Sequence, residues 1–490
     1  MSGIRISLKD LIEGSIGIDY PNEVITIHFD VQGLLAQFQN RIFKCKKLIF
    51  EHISNSEYNF KFDECSFDCE IEFTNFNLDE ISFKNTKSIK SLTLQGKDEN
   101  NKSILKSFKF HYDKEYSEVE PKPKLCSNFY ISNLLISDNL LVQNIDHIAG
   151  KFEFIGNELG GKGIDAIVFA NSNFCNAHFL DNDFKDETSF GNTSFKYNLE
   201  DLETPKENFN YTRFYNNIFK KVSFTKAKFI DKCKFYKCDF LSTTWFENCE
   251  NLINSKLKFV ACEFKGFSLF NDSKINFLNI DRCTFDKSSS FKDATFNILN
   301  LNEVKFGGGA YFDEMKINKV LDKSYLKDES KILEWKRTLR AIKQESQKTE
   351  NRFDSNRFRA YELAAHYEEL NSEENFKDVT ILWATKISTD FGLSWTKAFW
   401  FIVKGGILFY APLYLIENWD AKIKISSWDN WSRLFSGFFR FLLVTDFYNP
   451  LETDRIYLTN PFSWIILIFG KIVVAFGIYE MIQSFRKFKA

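Results

Sequence analysis

Large apolar residues recur at every fifth position through the middle of the chain, separated by mostly polar residues. Phe169, Phe174, Phe179 and Phe184 stand five residues apart, and Phe190 follows after a step of six. The spacing continues through these positions: Phe195, Phe209, Phe214, Phe219, Phe224, Phe229, Phe235, Phe240, Phe246, Phe259, Phe264, Phe270, Phe285, Phe291, Phe296, Leu301, Phe306 and Phe312. A helix would place residues five apart about 140° around its axis, and an odd step would reverse the face of a simple strand. The period therefore predicts a short strand and a tight turn, repeated around a solenoid.

A small or β-branched residue stands two positions before many of these aromatic residues, as Ser172, Ala177, Cys233 and Thr244 do. Large and small side chains together can fill a narrow interior, whereas the intervening Asn, Asp, Lys, Glu and Ser residues suit a solvated surface. We expect the repeat core to include the following residues: Phe169, Phe174, Phe179, Phe184, Phe224, Phe229, Phe235, Phe240, Phe291 and Phe296.

The repeated order of a small residue, Asp or Asn, a central Phe and two variable positions resembles the pentapeptide-repeat family. The resemblance implies a right-handed, four-sided β-helix with about four repeats per turn. At a strand spacing of ~4.8 Å, residues 167–312 would then form roughly eight turns. The six-residue steps resemble a variant in which five- and six-residue spacings alternate, which leaves the cross-section of a turn open.

Residues 1–150 are β-rich, but their repeat is less regular. Phe62, Phe67, Phe73, Leu78 and Phe83 outline the same spacing. An open end of a solenoid exposes unpaired backbone and core, so a cap is expected there. The sequence therefore predicts an N-terminal cap with degenerate repeats over 1–150, followed by the regular β-helix over 151–320.

A helical hairpin is predicted over residues 321–374. Leu333, Trp335, Leu339 and Ile342 recur at helical spacing, and a second helix is expected from about 352 to 370. Basic residues occur on both helices: Lys336, Arg337, Arg340, Lys343, Arg352, Arg357 and Arg359. They either contact anionic headgroups or a partner, or form a solvated face with the interspersed glutamates.

Two long apolar segments predict a membrane domain over residues 375–490, with spans near 398–416 and 464–482. About twenty apolar residues cross the hydrocarbon core of a bilayer. Trp395, Trp400 and Trp464 lie near the ends of these segments, where interfacial aromatic residues belong. The lipid bilayer is therefore an expected partner.

Basic residues flank both predicted spans on the same side. Lys386 and Lys397 precede the first span, and Arg486, Lys487 and Lys489 follow the second. The positive-inside rule then places both termini in the cytosol, which agrees with the absence of a signal-like apolar segment at the N-terminus. We expect a multi-pass protein of the inner (cytoplasmic) membrane, similar to bacterial pentapeptide-repeat membrane proteins.

The segment between the spans contains a candidate interfacial or re-entrant helix at 428–447, because its aromatic residues recur on one face. The order of span, short helix, loop and span resembles that of two-span pore-loop cation channels. At the place of a potassium filter this chain has Val444, Thr445, Asp446, Phe447 and Tyr448, without the filter glycines. Potassium selectivity is therefore not expected, because that filter depends on stacked backbone carbonyls.

The candidate functional residues of this region are Lys404, Lys471, Thr445, Asp446 and Glu480. A charge deep in a bilayer costs several kcal/mol and usually faces a bundle interior or water. The two lysines either line a pore or hold a partner helix, or they pair with acidic groups or lipid headgroups. Since two spans cannot enclose a pore, any channel requires a homo-oligomer.

Composition and motifs narrow the classes of function. The formal net charge is −2, from 64 basic and 66 acidic residues, so no nucleic-acid partner is expected. The sequence has no nucleophile elbow, metal-spaced histidine cluster or dinucleotide fingerprint, so we expect no enzyme activity, catalytic residue, cofactor or metal. Several of the ten cysteines, such as Cys238 and Cys262, occupy the small position of the repeat and are interpreted as buried thiols.

Three functions follow from these patterns. The first is an oligomeric membrane protein that conducts ions or perturbs the membrane, with the β-helix as a cytosolic sensor or interaction domain. The second is a membrane-tethered scaffold whose β-helix binds an unknown cytosolic protein. The third, imitation of DNA to protect a topoisomerase, is implied by some members of the family, but they present acidic surfaces, whereas Lys and Asp are interspersed here.

Overall fold

The computed structural model describes residues 4–14, 18–28, 35–51, 53, 58–96, 102–112, 124–126, 128–160, 167–196, 211–251, 255–318, 329–370, 374–418, 428–452 and 454–486. The chain divides into two compact units, Met1–Val320 and Leu321–Ala490. The first unit is a parallel β-solenoid of about 11 turns, and the second is helical. The mainly β class and the solenoid predicted from the sequence are thereby confirmed.

The solenoid begins near the N-terminus, and its strands are short. The strands of the first half are β1 Ile4–Ser7, β2 Asp19–His28, β3 Leu35–Gln39, β4 Ile42–Glu51, β5 Asn59–Asp63, β6 Ser66–Thr74, β7 Asn77–Lys84, β8 Ser88–Gln95, β9 Ser103–His111, β10 Lys124–Cys126, β11 Asn128–Ser132, β12 Leu134–Gln143, β13 Asp146–Ala149, β14 Phe152–Ile155 and β15 Glu158–Leu159. Those of the second half are β16 Ile167–Val168, β17 Asn173–Cys175, β18 Ala177–Leu180, β19 Asp183–Ser189, β20 Ser194–Lys196, β21 Thr212–Tyr215, β22 Ile218–Ser223, β23 Lys228–Phe229, β24 Lys232–Tyr236, β25 Asp239–Phe240, β26 Thr244–Trp245, β27 Glu250–Asn251, β28 Lys256–Val260, β29 Glu263–Phe264, β30 Ser268–Leu269, β31 Lys274–Asp281, β32 Thr284–Phe285, β33 Ser289–Ser290, β34 Thr295–Asn302, β35 Lys305–Phe306, β36 Ala310–Tyr311 and β37 Lys316–Ile317.

Four parallel ladders run along the regular part of the solenoid, so each turn has four sides. The first face contains β14, β18, β21, β24, β28, β31 and β34. The second contains β15, β19, β22, β25, β29, β32 and β35. The third contains β16, β19, β22, β26, β30, β33 and β36. The fourth contains β13, β17, β20, β23, β27, β31, β34 and β37, so the longest strands bend from one face to the next.

The strand register explains the six-residue steps in the sequence. Phe264 pairs with Phe285, and Phe285 with Phe306, so one turn takes 21 residues. Three steps of five and one step of six make up such a turn. In these turns the longer step connects the second face to the third, as from Phe285 to Phe291. The expected alternation of five and six is therefore wrong here, because only one corner of the turn takes an extra residue.

Phenylalanine rings form continuous stacks inside the solenoid. The rings of Phe179, Phe214, Phe235 and Phe259 lie directly above one another, with centroids 4.4–4.8 Å apart. Rings on opposite faces, such as Phe224 on the third face and Phe235 on the first, meet edge to face, which is the other favourable aromatic geometry. All ten residues named above as the repeat core are at most 1% exposed.

The chain bends at residues in the left-handed conformation between the first and second faces and between the third and fourth. Those after the first face are Asp181, Asn216, Lys237, Ala261, Arg282 and Glu303. Those after the third face are Asn171, Asn192, Lys226, Asn248, Asp272, Asp293 and Glu314. Asn and Asp tolerate positive φ better than other side-chain-bearing residues. Part of the recurrent Asn and Asp of the sequence therefore serves the corners.

The N-terminal region is continuous with the solenoid. Ile6, Ile27, Phe50 and Phe73 occupy one ladder position in successive turns. The short helix α1 (Leu8–Glu13) buries Leu8 and Leu11 against the first turns, as an end cap does.

The second unit contains six helices among its described residues: α2 Glu329–Lys348, α3 Arg352–Glu369, α4 Phe376–Thr389, α5 Trp395–Glu417, α6 Trp428–Leu442 and α7 Pro461–Arg486. Helices α2 and α3 form the predicted hairpin and bury Trp335, Leu339 and Ile342, whereas Leu333 is exposed. Lys487 and Lys489, two of the basic residues that predict the orientation, lie outside the described residues.

Basic residues of the hairpin are used for ion pairs across it. Lys336 pairs with Glu369, whereas Arg340 (2.9 Å) and Lys343 (2.6 Å) pair with Glu362. Burial opposes ionisation of Glu362, but the hydrogen bonds from Lys343 and Arg340 prevail and lower its pKa. These three basic residues therefore tie the two helices together.

Helices α5 and α7 are long and apolar enough to cross a membrane. They contain the predicted segments 398–416 and 464–482. Each helix begins earlier than predicted, because a residue that favours helix initiation stands at its start. Ser394 caps α5 by accepting a hydrogen bond from the backbone N–H of Lys397. Pro461 opens α7, at the position where a missing N–H costs least. The predicted helix 428–447 ends earlier, at Leu442.

Candidate functional site in the helical unit

Helices α5 and α7 pack closely because glycines lie at their contact. A side-chain carbon added at Gly477 would come within 2.7 Å of Ile402, and one at Gly470 within 2.8 Å of Phe409. Val474, between the two glycines, is fully buried. Helix α7 therefore presents a close-packed glycine face to α5.

Helix α6 docks against this pair. Phe441 is fully buried, and the Tyr410 hydroxyl donates to the carbonyl of Leu434 at 2.9 Å. A side-chain carbon at Gly437 would clash with that same hydroxyl. Arg440 donates to the carbonyl of Glu452 at 2.7 Å and so holds the segment that follows α6.

Lys471 lies beneath the C-terminal end of α6 and is only 3% exposed. Its ammonium group donates to the backbone carbonyls of Leu443 and Arg440 and lies 5.5 Å from the ring centre of Phe441. The last carbonyls of a helix lack intrahelical donors and carry partial negative charge. Lys471 therefore caps α6. The sequence predicted instead that it lines a pore or holds a partner helix, or that it pairs with acidic groups or lipid headgroups.

Thr445 and Asp446 lie in the turn that follows α6. Thr445 is exposed, whereas Asp446 is half-buried. The Asp446 carboxylate accepts from the backbone N–H of Tyr448 at 3.1 Å, and its own N–H donates to Leu443. The structure thus brings Lys471, Thr445 and Asp446 to one place, and there the two turn residues shape the chain after the helix.

Lys404 lies elsewhere, on the outer surface of α5. Its side chain is exposed, and within the described part of the chain nothing forms a hydrogen bond or ion pair with it. Its neighbours one turn away, Trp400, Ile407 and Leu408, are exposed apolar side chains, with Leu408 69% exposed. Lys404 is therefore a cation among exposed apolar side chains.

Glu480 occupies a third position, near the C-terminal end of α7. It is 8% exposed, and its carboxylate accepts a hydrogen bond of 2.9 Å from the hydroxyl of Thr389, at the end of α4. The same hydroxyl accepts from the backbone N–H of Gly392. This contact joins α7 to the turn between α4 and α5.

That turn has an unusual backbone. Asp390, Phe391 and Gly392 are all left-handed, with φ of 56°, 57° and 89°. Phe391 packs on Ala360 and Ala364 of the hairpin, and this burial offsets the cost of a left-handed bulky residue. The turn separates α4, which ends at Thr389, from α5, which begins at Trp395.

A cavity of about 390 Å³ opens beside the turn, between α3, α4 and α7. Asn356, Arg359 and Gln483 line it together with Glu480 and Gly392. Sequence reasoning selected Glu480 and named Arg359 only among the basic residues of the hairpin, and it missed Thr389. Nothing in the local pattern shows that distant helices bring these residues together.

No protein-family model, curated protein or solved structure matches this chain. The resemblance to pentapeptide repeats therefore rests on the repeat itself.

Proposed function

We propose that this chain is a subunit of a homo-oligomeric protein of the cytoplasmic membrane, in which α5, α6 and α7 conduct ions or perturb the bilayer. The β-solenoid is its cytosolic sensor or protein-interaction domain, and both termini lie in the cytosol. The observation that carries the proposal is Lys404, which is exposed in the middle of an apolar helix surface and has no ion pair among the described residues.

Membrane insertion accounts for the outer surface of α5 and α7. Ile407 and Leu408 on α5 and Ile468 and Phe469 on α7 are 43–69% exposed. A contiguous apolar surface of this kind is unfavourable in water and suits lipid or another subunit. Both helices exceed the length needed for a hydrocarbon core of about 30 Å.

Helix α6 fits a re-entrant position. Its 15 residues are too few for a span. A helix that ends inside a bilayer must have its free backbone polar groups satisfied by protein. Lys471 satisfies carbonyls at the end of α6. It therefore supports the short helix and leaves Lys404 as the lysine available to a pore.

Lys404 needs an environment that a single chain does not provide. An ammonium group facing lipid near the middle of a span costs several kcal/mol. Assembly of subunits around a water-filled path would hydrate it and leave the remaining apolar surface to lipid and neighbouring subunits. Such a path favours anions at Lys404.

The test is ion flux from liposomes that contain the full chain as a size-verified oligomer. Wild-type protein should release ions, and Lys404→Glu should shift the permeability ratio towards cations. Lys397→Gln is the matched control, because Lys397 lies two turns earlier on the same face and pairs with Asp390 at 2.8 Å. It should leave the ratio unchanged.

Two outcomes would contradict the proposal. These are absence of flux from a verified wild-type oligomer, and flux whose ion preference is the same for Lys404→Glu and wild type. Lys471→Met is expected to reduce the yield of folded oligomer rather than change preference, because it removes the donor from the end of α6. Absence of flux would favour the alternative function, a membrane-tethered scaffold.

A further inference from the structure

One outward row on the first face of the solenoid becomes basic over three successive strands. The strand register orders this row as Glu153, His178, Arg213, Lys234, Lys258, Asn279 and Asn300. Neighbouring strands are about 4.8 Å apart, so Arg213, Lys234 and Lys258 are stacked one strand from the next. Lys232 and Lys256 form a second stacked pair beside them.

These lysines are not neutralised as other lysines of the solenoid are. Lys221 stands one strand from Glu187 and pairs with it at 2.6 Å. In contrast, none of Lys232, Lys234, Lys256 and Lys258 forms an ion pair with a carboxylate in the described part of the chain. Like charges on adjacent strands repel. This row is therefore less stable than a row of alternating acidic and basic side chains.

Burial and nearby positive charges lower the pKa values of two groups in this row. Burial, followed by the charges of Lys256, Lys234 and Lys232, lowers the pKa of Lys258. At the other end of the row, burial and the charges of Arg213 and Lys151 lower the pKa of His178 to about 4. Burial is the largest cause of both shifts, and the nearby positive charges add to it with the same sign.

A cavity of about 350 Å³ opens over the cluster. The four lysines line it, together with Tyr211 and Asn279. The Tyr211 ring lies 4.6 Å from the guanidinium carbon of Arg213 and 5.9 Å from the Lys234 ammonium, so it orders the edge of the cavity.

We propose that this cavity binds a compact anion with two or more phosphate groups. Several ammonium groups that converge on one cavity, with an amide donor beside them, suit phosphate oxygens. The basic part of the row covers only two strand steps, about 10 Å, and ends at Asn279 on one side. That extent favours a small ligand over a nucleic-acid strand, which needs a longer track of cations.

Asp281 is the one carboxylate among the described residues that line the cavity, and it allows a test of opposite sign. Asp281 pairs with Arg282 at 3.1 Å and accepts from Asn302 at 2.6 Å. Asp281→Asn removes a negative charge from the cavity and should tighten anion binding, while lysine replacements should weaken it.

The experiment is titration calorimetry of the full chain in detergent with inorganic tripolyphosphate. Wild-type protein should bind it saturably, and the affinity should fall as salt rises. The double variant Lys234→Gln/Lys258→Gln should bind at least about tenfold more weakly, since each charge-assisted hydrogen bond contributes about that factor. Because the change also relieves like-charge repulsion, the variant should remain folded.

The matched control is Lys305→Gln/Lys316→Gln, which removes the same charge from exposed lysines on the second and fourth faces. It should bind like wild type. Residues 197–210 contain four carboxylates, Glu200, Asp201, Glu203 and Glu207. A variant with all four changed to Gln is titrated as well, so that competition by the chain itself is detected.

Two further ligands distinguish the sources of phosphate. Preference for ATP would assign a nucleotide, and preference for inositol trisphosphate would assign a phosphoinositide headgroup. Absence of saturable binding in both the wild type and the variant with four carboxylates changed to Gln would overturn the proposal. Equal losses of affinity in the two double-lysine variants, or tighter binding of a DNA 12-mer than of tripolyphosphate, would overturn it as well. None of these outcomes depends on ion flux.

Discussion

At the residue scale, buried asparagines form a column along one corner of the solenoid. Asn157, Asn182 and Asn217 are at most 1% exposed and occupy the small position before the second face. The Asn182 side-chain carbonyl accepts from the backbone N–H and the side-chain amide of Asn157. Its amide donates to the carbonyl of Phe154 at 2.7 Å and to Asn217 at 2.9 Å. The column thus satisfies corner backbone groups that face neither water nor a strand.

Cysteine takes the same position in later turns. The Cys238 thiol lies 3.3 Å from the carbonyl of Phe214, which corresponds to the contact of Asn182 with Phe154. Cys262 and Cys283 continue the column and are at most 1% exposed. Burial and the neighbouring thiols raise the pKa of Cys262. These thiols therefore act as small buried side chains, as the repeat position suggested.

Asn182→Ala should destabilise the middle of the solenoid by about 2–4 kcal/mol. The change leaves several buried donors and acceptors without a hydrogen-bond partner, and each such group costs about 1–3 kcal/mol. Asn182→Cys should cost less, since cysteine fits this position in other turns. Hydrogen exchange of peptides covering 152–184 in the full chain measures the difference. Equal protection in wild type and Asn182→Ala would show that the column contributes nothing to local stability.

At the element scale, the left-handed corner is the feature that turns a strand repeat into a solenoid. Most corner residues after the first face carry polar or charged side chains, but Ala261 has φ of 53° and no side-chain group to compensate. An L-residue in this conformation costs roughly 1–2 kcal/mol relative to glycine. Ala261 is therefore a local weak point between β28 and β29.

Ala261→Gly is expected to stabilise this turn by up to about 1 kcal/mol. The change removes the backbone strain, and the greater freedom of glycine in the unfolded chain offsets part of that gain. Ala294→Gly is the control: Ala294 is fully buried in the small repeat position, and its replacement should destabilise by about 0.5–1 kcal/mol. The midpoint of solenoid unfolding by calorimetry reports both. A lower midpoint for Ala261→Gly would contradict the assignment of strain.

At the scale of the whole molecule, Lys404 and Lys471 have different roles. Lys471 faces inward and completes α6, while Lys404 faces outward. The proposed assembly requires that the α5 surface around Lys404 meet water or another subunit. The oligomer should therefore bring copies of this surface near one another.

Lys404→Cys should form disulfide-linked dimers when the detergent-solubilised oligomer is mildly oxidised. Val474→Cys is the control, because Val474 is fully buried between α5 and α7 and cannot reach another copy. Nine of the ten native cysteines are buried and should react slowly. Equal cross-linking of the two variants, or none at Lys404→Cys in a verified oligomer, would place α5 away from the subunit interface.

The sequence by itself determined the solenoid, the helical hairpin and the two apolar helices. Each depends on a local period: five residues for the Phe stacks, 3.6 for the hairpin, and unbroken apolar length for α5 and α7. The core phenylalanines followed from that period, because every turn repeats the same inward direction. The asparagine column was missed, because a polar residue in the small position looks like a surface residue until its neighbours are known.

Only the tertiary structure decided the roles of the candidate residues. Lys404 and Lys471 are equivalent in sequence, as single cations in apolar runs, yet the packing of α5, α6 and α7 exposes one and buries the other. Glu480 gained a partner in Thr389, 91 positions away along the chain, and the lysine row arose from residues about one solenoid turn apart. Hydrogen bonds and charge interactions depend on distance in space, and local periodicity carries no information about contacts between distant segments.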